Sequence, residues 1–140
     1  MKLYMSPASP FVHKCRIAVR ELGLADRIEE VTVAVKPTEP NLDYGARINP
    51  LRKIPALETD DGAILVDSRV IVAFLDEVAG GGRLVPAEGA ARWRSRSAAA
   101  IAEGIMDCAV AARYERAVRP PETQCAPWAE DQLGKVDAAP

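Results

Sequence analysis

Apolar and polar positions along the first part of the chain predict a strand, a turn and a helix. Residues Lys2 to Met5 are mostly apolar and lead into a polar turn rich in serine and proline, Ser6 to Pro10. From Phe11 to Leu22, apolar residues recur at steps of three and four, which is the spacing of one helix face. These positions are Val12, Cys15, Val19 and Leu22. We expect this face to pack on a sheet and the helix to end at Gly23.

The pattern then changes to alternation. Residues 28–35 alternate apolar with other residues, which predicts a half-buried strand, and residues 41–48 suit a short irregular helix. Residues 53–59 and 63–66 are predicted strands joined by the hairpin signature Asp60-Asp61-Gly62. A further helix is expected to begin at Asp67-Ser68 and to stop at the glycines 80–82. Its predicted apolar face is formed by Val70, Ile71, Phe74, Leu75 and Val78.

This order of elements predicts an α/β domain with a thioredoxin-like architecture over residues 1–79. The first two strands are joined by a crossover helix and should be parallel neighbours. The hairpin adds two antiparallel strands. A helix that covers one face of this sheet would complete the fold.

The second half of the chain has a helical composition. Residues 80–89 form a predicted linker, and residues 90–140 the start of an all-α C-terminal domain, with a long helix to about Val118 and another from about Ala126. The predicted apolar side of the long helix contains Trp93, Ala100, Ile101, Gly104, Ile105, Cys108, Ala109 and Ala112. Because two helices bury little of such a surface, we expect a partial helical domain or another chain that covers it.

Composition excludes several classes of function. The 140 residues are 49% hydrophobic and 27% charged, with a formal net charge of -2, which is an ordinary globular balance. Neither a nucleic-acid partner nor a membrane partner is expected, because basic residues are scattered and no apolar run reaches spanning length. Arg92, Arg94 and Arg96 alternate around a helix and are interpreted as solvated. No leader segment is predicted, and we expect a cytoplasmic protein.

The cysteines and the single histidine indicate no metal site. Cys15, Cys108 and Cys125 are odd in number and lack the spacing of zinc ligands or of a disulfide framework. We interpret Cys15 and Cys108 as buried small hydrophobic residues, whereas Cys125 follows two prolines and can be exposed. His13 lies in the first turn of the first helix, where an inert surface role is favoured over that of a base.

Ser9 is the candidate for chemistry. Pro10 suits the first position of a helix, so Ser9 is expected to be the N-cap that faces the end of the first strand. A helix N-terminus has unpaired N–H groups and a partial positive charge, and together with a hydroxyl it can stabilise an anion such as a thiolate. The alternative is that Ser9 is only a helix cap, as many such serines are.

Three motifs in order carry a family resemblance. They are Ser6 to Phe11, the segment Asn49 to Leu57, and Asp67-Ser68-Arg69-Val70-Ile71. Together they resemble those of cytosolic glutathione S-transferases, of the bacterial kind with a serine or cysteine in the active site. The resemblance covers residues 1 to about 78 closely and continues through the linker and the first long helix.

The resemblance implies a role for each matching residue. Ser9 matches the residue that faces the sulfur of glutathione, Pro55 matches a cis-proline, and the backbone of Ile54 would pair with the cysteinyl part of the tripeptide. Asp67 and Ser68 match the pair that holds the γ-glutamyl end, although the family has glutamate more often than aspartate there.

Alternatives stay open at these positions. Lys53 resembles a residue that approaches the peptide from the side and would meet its terminal carboxylate, but it can equally be a solvated lysine. Asp67 and Ser68 can be helix caps only, and Ser6 is the alternative to Ser9 as the residue that contacts the thiol.

The implied activity is a transfer reaction that uses glutathione as co-substrate and no metal. The tripeptide's thiolate would attack a small electrophile, as in detoxifying conjugation. A serine favours conjugation or dehalogenation over thiol transfer, because a hydroxyl forms no mixed disulfide. Two other interpretations are a non-catalytic binding or assembly module with the same fold, and a shortened paralogue with an incomplete substrate pocket. The family also implies a homodimer, with Arg69 and the region from Arg92 to Arg96 near the interface.

Overall fold

In a computed structural model, which describes residues 1–139, the chain forms two compact units. The first unit is Met1–Ala87 and the second begins at Glu88. The strands of the first unit are β1 (Lys2–Met5), β2 (Glu29–Thr32), β3 (Ala56–Glu58) and β4 (Ile64–Val66). Its helices are α1 (Pro10–Glu21), α2 (Leu42–Arg47) and α3 (Ser68–Val78). The second unit contains α4 (Gly89–Val118) and α5 (Ala126–Ala138).

The four strands form one mixed sheet in the order β2-β1-β3-β4. β1 is parallel to β2 and antiparallel to β3, and β3 is antiparallel to β4. This confirms the predicted parallel pair, the predicted hairpin and the thioredoxin-like fold. Gly62, at the hairpin turn, has a φ of 86°, a conformation that favours glycine.

Helices α1 and α3 cover one face of the sheet. The predicted apolar face of α1 is confirmed, because Val12, Cys15, Val19 and Leu22 all belong to a buried core with Leu3, Leu57, Ile71 and Leu75. The prediction for α3 is wrong at Val70, which is 48% exposed. The buried positions of α3 are Ser68, Ile71, Leu75 and Asp76, so its inward face is rotated away from Val70.

β4 is one residue shorter than predicted, and β2 and β3 are shorter by four residues each, for identifiable reasons. β2 ends at Thr32 because β1, its only neighbour in the described sheet, ends at Met5, where the chain turns. β3 starts at Ala56 because Pro55 has no N–H to contribute to a ladder.

Tyr4 points to the sheet face opposite that of Leu3 and Met5. The centre of its ring lies 6.0 Å from that of Tyr44 in α2, in an edge-on arrangement.

Residues 80–85 are held by one buried carboxylate. Asp76 is 5% exposed and accepts the backbone N–H groups of Gly82, Arg83, Leu84 and Val85 at 3.0–3.4 Å. The guanidinium of Arg83 donates to the carbonyls of Glu21 and Leu22, at the end of α1. The start of the predicted linker is therefore fastened to the first unit.

In the second unit, α4 and α5 pack against each other. The predicted apolar side of α4 is wrong in part, because Trp93 and Ile101 are exposed while Glu103 and Glu115 are buried with Ala112. Glu115 is buried because it accepts the Cys125 N–H at 2.8 Å, at the start of α5, and pairs with Arg119. Cys108 is half-buried and Cys125 is exposed.

Candidate functional site

Ser9 lies in the turn between β1 and α1 and caps the helix, as predicted. Its hydroxyl oxygen accepts the Val12 N–H at 3.4 Å, and its own N–H donates to the Ser6 carbonyl at 3.1 Å. Pro10 occupies the first helical position. His13 is exposed, and its Nε2 lies 2.8 Å from the Pro7 carbonyl, so this side chain helps to fix the turn. The cap uses a lone pair of the Ser9 hydroxyl and leaves its proton for another acceptor.

The register of the sheet brings three predicted segments to the same end. Tyr4 lies opposite Ala56, and Ala56 lies opposite Val66. Consequently three connections lie at the same end of the sheet. They are the exit from β1 towards Ser9, the entry to β3 from Pro55 and the exit from β4 into Asp67. Residues that are far apart in sequence thus surround a common region.

The segment that precedes β3 presents free backbone groups. The Ile54–Pro55 peptide bond is cis, as the resemblance implies. No backbone hydrogen bond joins Ile54 to any other residue in the range 1–139. An extended peptide can bind to such groups as an added strand does.

Lys53 is fixed by its backbone, while its side chain is exposed. Its carbonyl accepts the Tyr44 hydroxyl at 2.9 Å and the Asn49 side-chain amide at 2.8 Å. Burial raises the pKa of Tyr44 to about 12, so the phenol stays a donor at neutral pH. Neither Tyr44 nor Asn49 was predicted as a support for this loop; the only sequence signal was the Asn49-Pro50 pair in the second motif.

Asp67 and Ser68 stand at the N-terminus of α3, as predicted. Asp67 has a φ of 75°, which is strained for a residue other than glycine, and its carboxylate accepts the Arg69 N–H at 2.8 Å. The Asp67 side chain is 54% exposed. Ser68, in contrast, is 3% exposed. The pair therefore offers an open carboxylate beside an enclosed hydroxyl.

Two residues of α1 contact Ser68. The Lys14 ammonium lies 3.5 Å from the Ser68 hydroxyl oxygen, and the Cys15 sulfur lies 3.9 Å from the Ser68 carbonyl. Burial raises the pKa of the Cys15 thiol to about 12, so this cysteine is a structural residue and not a nucleophile, in agreement with the prediction. These contacts attach the second helix turn after Ser9 to the start of α3.

The structure thus brings Ser9, Ile54, Pro55, Asp67 and Ser68 to one end of the sheet. Among residues 1–139, no hydrogen bond or ion pair links the Lys53 ammonium to them. We refer to the region that these five residues surround as the groove. A cleft of about 270 Å³ lies elsewhere, between β2 and α2 over Tyr4 and Tyr44.

Within the described range, no group of side chains suited to a metal ion is found. No described helix is both long and apolar enough to cross a membrane.

Known proteins resemble this chain along nearly all of its length. The glutathione transferase family member from Pseudomonas fluorescens Pf-5, whose crystal structure has bound glutathione, is 41% identical, with a TM-score of 0.91 over 97% of this chain and 66% of its own. The glutathione S-transferase from Methylobacillus flagellatus KT, also with glutathione bound, is 38% identical, with a TM-score of 0.79 over 97% of this chain and 64% of its own.

A curated relative gives the same result. The uncharacterized GST-like protein YibF of Escherichia coli (strain K12) is 34% identical over 135 residues, which are 95% of this chain and 61% of that protein. This chain therefore spans about three fifths of the length of that relative. A family model for the N-terminal domain of glutathione S-transferase matches residues 8–78. The chain belongs to the glutathione S-transferase family.

Proposed function

We propose that the chain binds glutathione and stabilises its thiolate for nucleophilic attack on a small electrophile. The observation that carries the proposal is the meeting of Ser9, Pro55 and Asp67 at one end of the sheet. The bound glutathione in a relative that is 41% identical supports the same ligand. No metal takes part.

The groove has a complementary group for each part of the tripeptide. Asp67 would pair with the α-ammonium of the γ-glutamyl end, and Ser68 with its α-carboxylate. The backbone of Ile54, next to Pro55, would pair with the cysteinyl residue as a neighbouring strand would. Lys53, whose side chain is exposed, would meet the carboxylate at the other end.

The thiolate would lie at Ser9. A free thiol has a pKa of about 8.5, and a shift of one to two units multiplies the thiolate fraction about tenfold or more at neutral pH. The Ser9 proton and the N-terminal dipole of α1 both favour the anion. The sulfur lone pair would form the new C–S bond, and the leaving group would depart with the electron pair of the bond that breaks.

Replacement of Ser9 tests this role. Ser9→Ala should lower turnover with an activated aromatic halide about 10- to 100-fold, the value of one charge-assisted hydrogen bond, and change glutathione affinity less than about threefold. Ser9→Asp should lower turnover further, because it keeps a helix cap but adds a negative charge beside the thiolate. Turnover and calorimetric binding are measured on the same samples.

Controls separate chemistry from folding. Ser97→Ala, at an exposed position of α4, should leave turnover and binding unchanged. Ser9→Asp should unfold at the same denaturant concentration as the original chain, because aspartate caps a helix as well as serine does. Unchanged turnover in Ser9→Ala would remove Ser9 from the mechanism and make Ser6 the next residue to replace. Glutathione binding without any turnover would favour the non-catalytic module.

The family resemblance also supports a cytoplasmic homodimer that takes part in detoxification, which we include in the proposal. The electrophile is not specified by any residue of the groove. The surface that binds the electrophile belongs to the whole protein. It is proposed and not described, because the chain spans 61% of its E. coli relative.

A further inference from the structure

A second cleft lies on the sheet face that α1 and α3 leave open. Its volume is about 270 Å³, and residues 31–34 bound it on one side and α2 on the other. The rings of Tyr4 and Tyr44 also line it, whereas none of the five residues that surround the groove does. Ligand sites in proteins commonly have about 300–1,000 Å³, so this cleft suits a molecule of the size of one amino acid.

The wall of the cleft on the side of β2 is apolar. Val31 lies beside Tyr4 in the register of β1 and β2, so the two side chains point to the same face of the sheet. Val33 follows at the next position of that face, and Ile48 lies at the end of α2. These three aliphatic side chains are half-buried, and an apolar group that enters the cleft would be removed from water here.

Three polar side chains of the lining already have partners within the chain. The Tyr4 hydroxyl donates to the Glu58 carboxylate at 2.6 Å, and the Tyr44 hydroxyl donates to the Lys53 carbonyl at 2.9 Å. The Asn41 side chain accepts the Tyr44 N–H at 3.0 Å and donates to a backbone carbonyl at 3.2 Å. These residues therefore offer a ligand mainly rings and carbon atoms, and polar recognition is left to the charged side chains.

Asp43 and Arg47 supply the charges of the lining. They stand four residues apart on α2 and form an ion pair, in which each side chain is 70% exposed. A guanidinium has several N–H donors and a carboxylate accepts more than one hydrogen bond, so one pair leaves much of this capacity unused. The cleft thus has an anionic and a cationic group side by side, next to an apolar wall.

We propose that this cleft binds a small zwitterion with an apolar side chain, namely an apolar α-amino acid. Its carboxylate would bind the Arg47 guanidinium, its ammonium would bind the Asp43 carboxylate, and its side chain would lie against Val31 and Tyr44. A ligand with a single charge would be attracted by one of the two charged residues and repelled by the other, whereas a zwitterion matches both. The site is independent of the groove and of whether glutathione binds there.

The test compares three probes that carry the same ring. Phenylalanine has both charges, phenylpropionate lacks the ammonium and phenylethylamine lacks the carboxylate. Their dissociation constants are measured from backbone amide shifts in NMR titrations of the isotope-labelled chain. Phenylalanine should bind saturably, with the largest shifts in residues 31–34 and 41–48. The other two probes should each bind at least about fivefold more weakly, a modest factor because exposed charges contribute little.

Two substitutions test the charged pair. Arg47→Met should weaken phenylalanine binding about fivefold or more, and the chain should then no longer prefer phenylalanine to phenylethylamine. Asp43→Asn should in the same way remove the preference over phenylpropionate. Lys135→Met is the matched control, because it breaks another exposed ion pair of that spacing, with Asp131 in α5, and should leave the affinity for phenylalanine unchanged.

Three results would overturn the proposed site. They are the absence of saturable shifts with phenylalanine, equal affinities of the original chain for the three probes, and shifts that are largest outside the cleft. If Arg47→Met does not fold, the comparison of the probes on the original chain still decides, because it needs no substitution.

Discussion

The Ser9 hydroxyl caps α1, and in the proposed function it also faces the thiolate of glutathione. Its oxygen accepts the Val12 N–H, which stabilises the first turn of α1, and this contact does not use the hydroxyl proton. A thiol at this position would have a different chemistry. It would lie at a helix N-terminus, where thiolates are stabilised, and could exchange with a bound disulfide.

Ser9→Cys should therefore convert the groove into a site of glutathionylation. The introduced thiolate would attack one sulfur of glutathione disulfide, form a new S–S bond and release glutathione thiolate. Mass spectrometry of the intact chain should find the mass of one added glutathione, and a reducing agent should remove it.

The other cysteines define the background for that experiment. Cys125 is exposed, so the substitution is made together with Cys125→Ser, and the single Cys125→Ser chain is the control. Cys15 should stay unmodified, because burial holds its pKa at about 12. Glutathionylation of the control chain to the same extent would contradict the prediction.

Single residues were predictable where a motif or a cap defines them. Ser9 and Asp67 were found from N-cap chemistry, and Pro55 from its motif. Lys14, Tyr44 and Asn49 were missed, because their contacts are with residues brought near by the fold and no local pattern indicates them.

At the scale of elements, the apolar period predicted which helices and strands exist but not where all of them end. The face of α1 was correct at every position because helix spacing and sheet packing act on the same residues. β2 and β3 were predicted too long, since the end of a strand depends on its neighbours.

Buried carboxylates were the other features that the pattern could not indicate. Asp76 and Glu115 lie inside because backbone N–H groups of later segments donate to them. A carboxylate in a sequence is ordinarily assigned to the surface, so only the tertiary structure identifies such an exception.

Asp76→Ala should lower the free energy of unfolding by about 2–4 kcal/mol, because it leaves several backbone N–H groups of residues 82–85 without their charged acceptor. Urea denaturation followed by circular dichroism measures the change. The neighbouring exposed residue supplies the control, and Glu77→Ala should change stability by less than about 0.5 kcal/mol. Equal effects of the two substitutions would show that the Asp76 carboxylate is not a structural anchor.

At the scale of the whole molecule, the second unit exposes large apolar side chains. Trp93 is 67% exposed and Trp128 43%, and Ile101 and Tyr114 are exposed as well. The guanidinium of Arg96 lies 6.0 Å from the centre of the Trp93 ring. Such a surface is unusual for a free monomer, and a further part of the helical domain or another chain would cover it.

We expect a homodimer in solution, with Trp93 near the interface. Small-angle scattering should give twice the mass of one chain at high concentration, and tryptophan emission should shift to shorter wavelength as dimers form, because association removes water from the ring. Trp93→Phe should abolish most of that shift, whereas Trp128→Phe should retain it. A single-chain mass at all concentrations would contradict this prediction.

The attachment of residues 80–85 has a practical meaning for protein engineering. Arg83 closes the exposed end of α1 and Asp76 gathers the amides of the following residues, so these residues belong to the sheet-containing body although they carry no helix or strand. A version that stops after α3 would lack Arg83 and also the backbone N–H groups that donate to Asp76. Anyone who joins this body to a different C-terminal module should place the junction after Ala87.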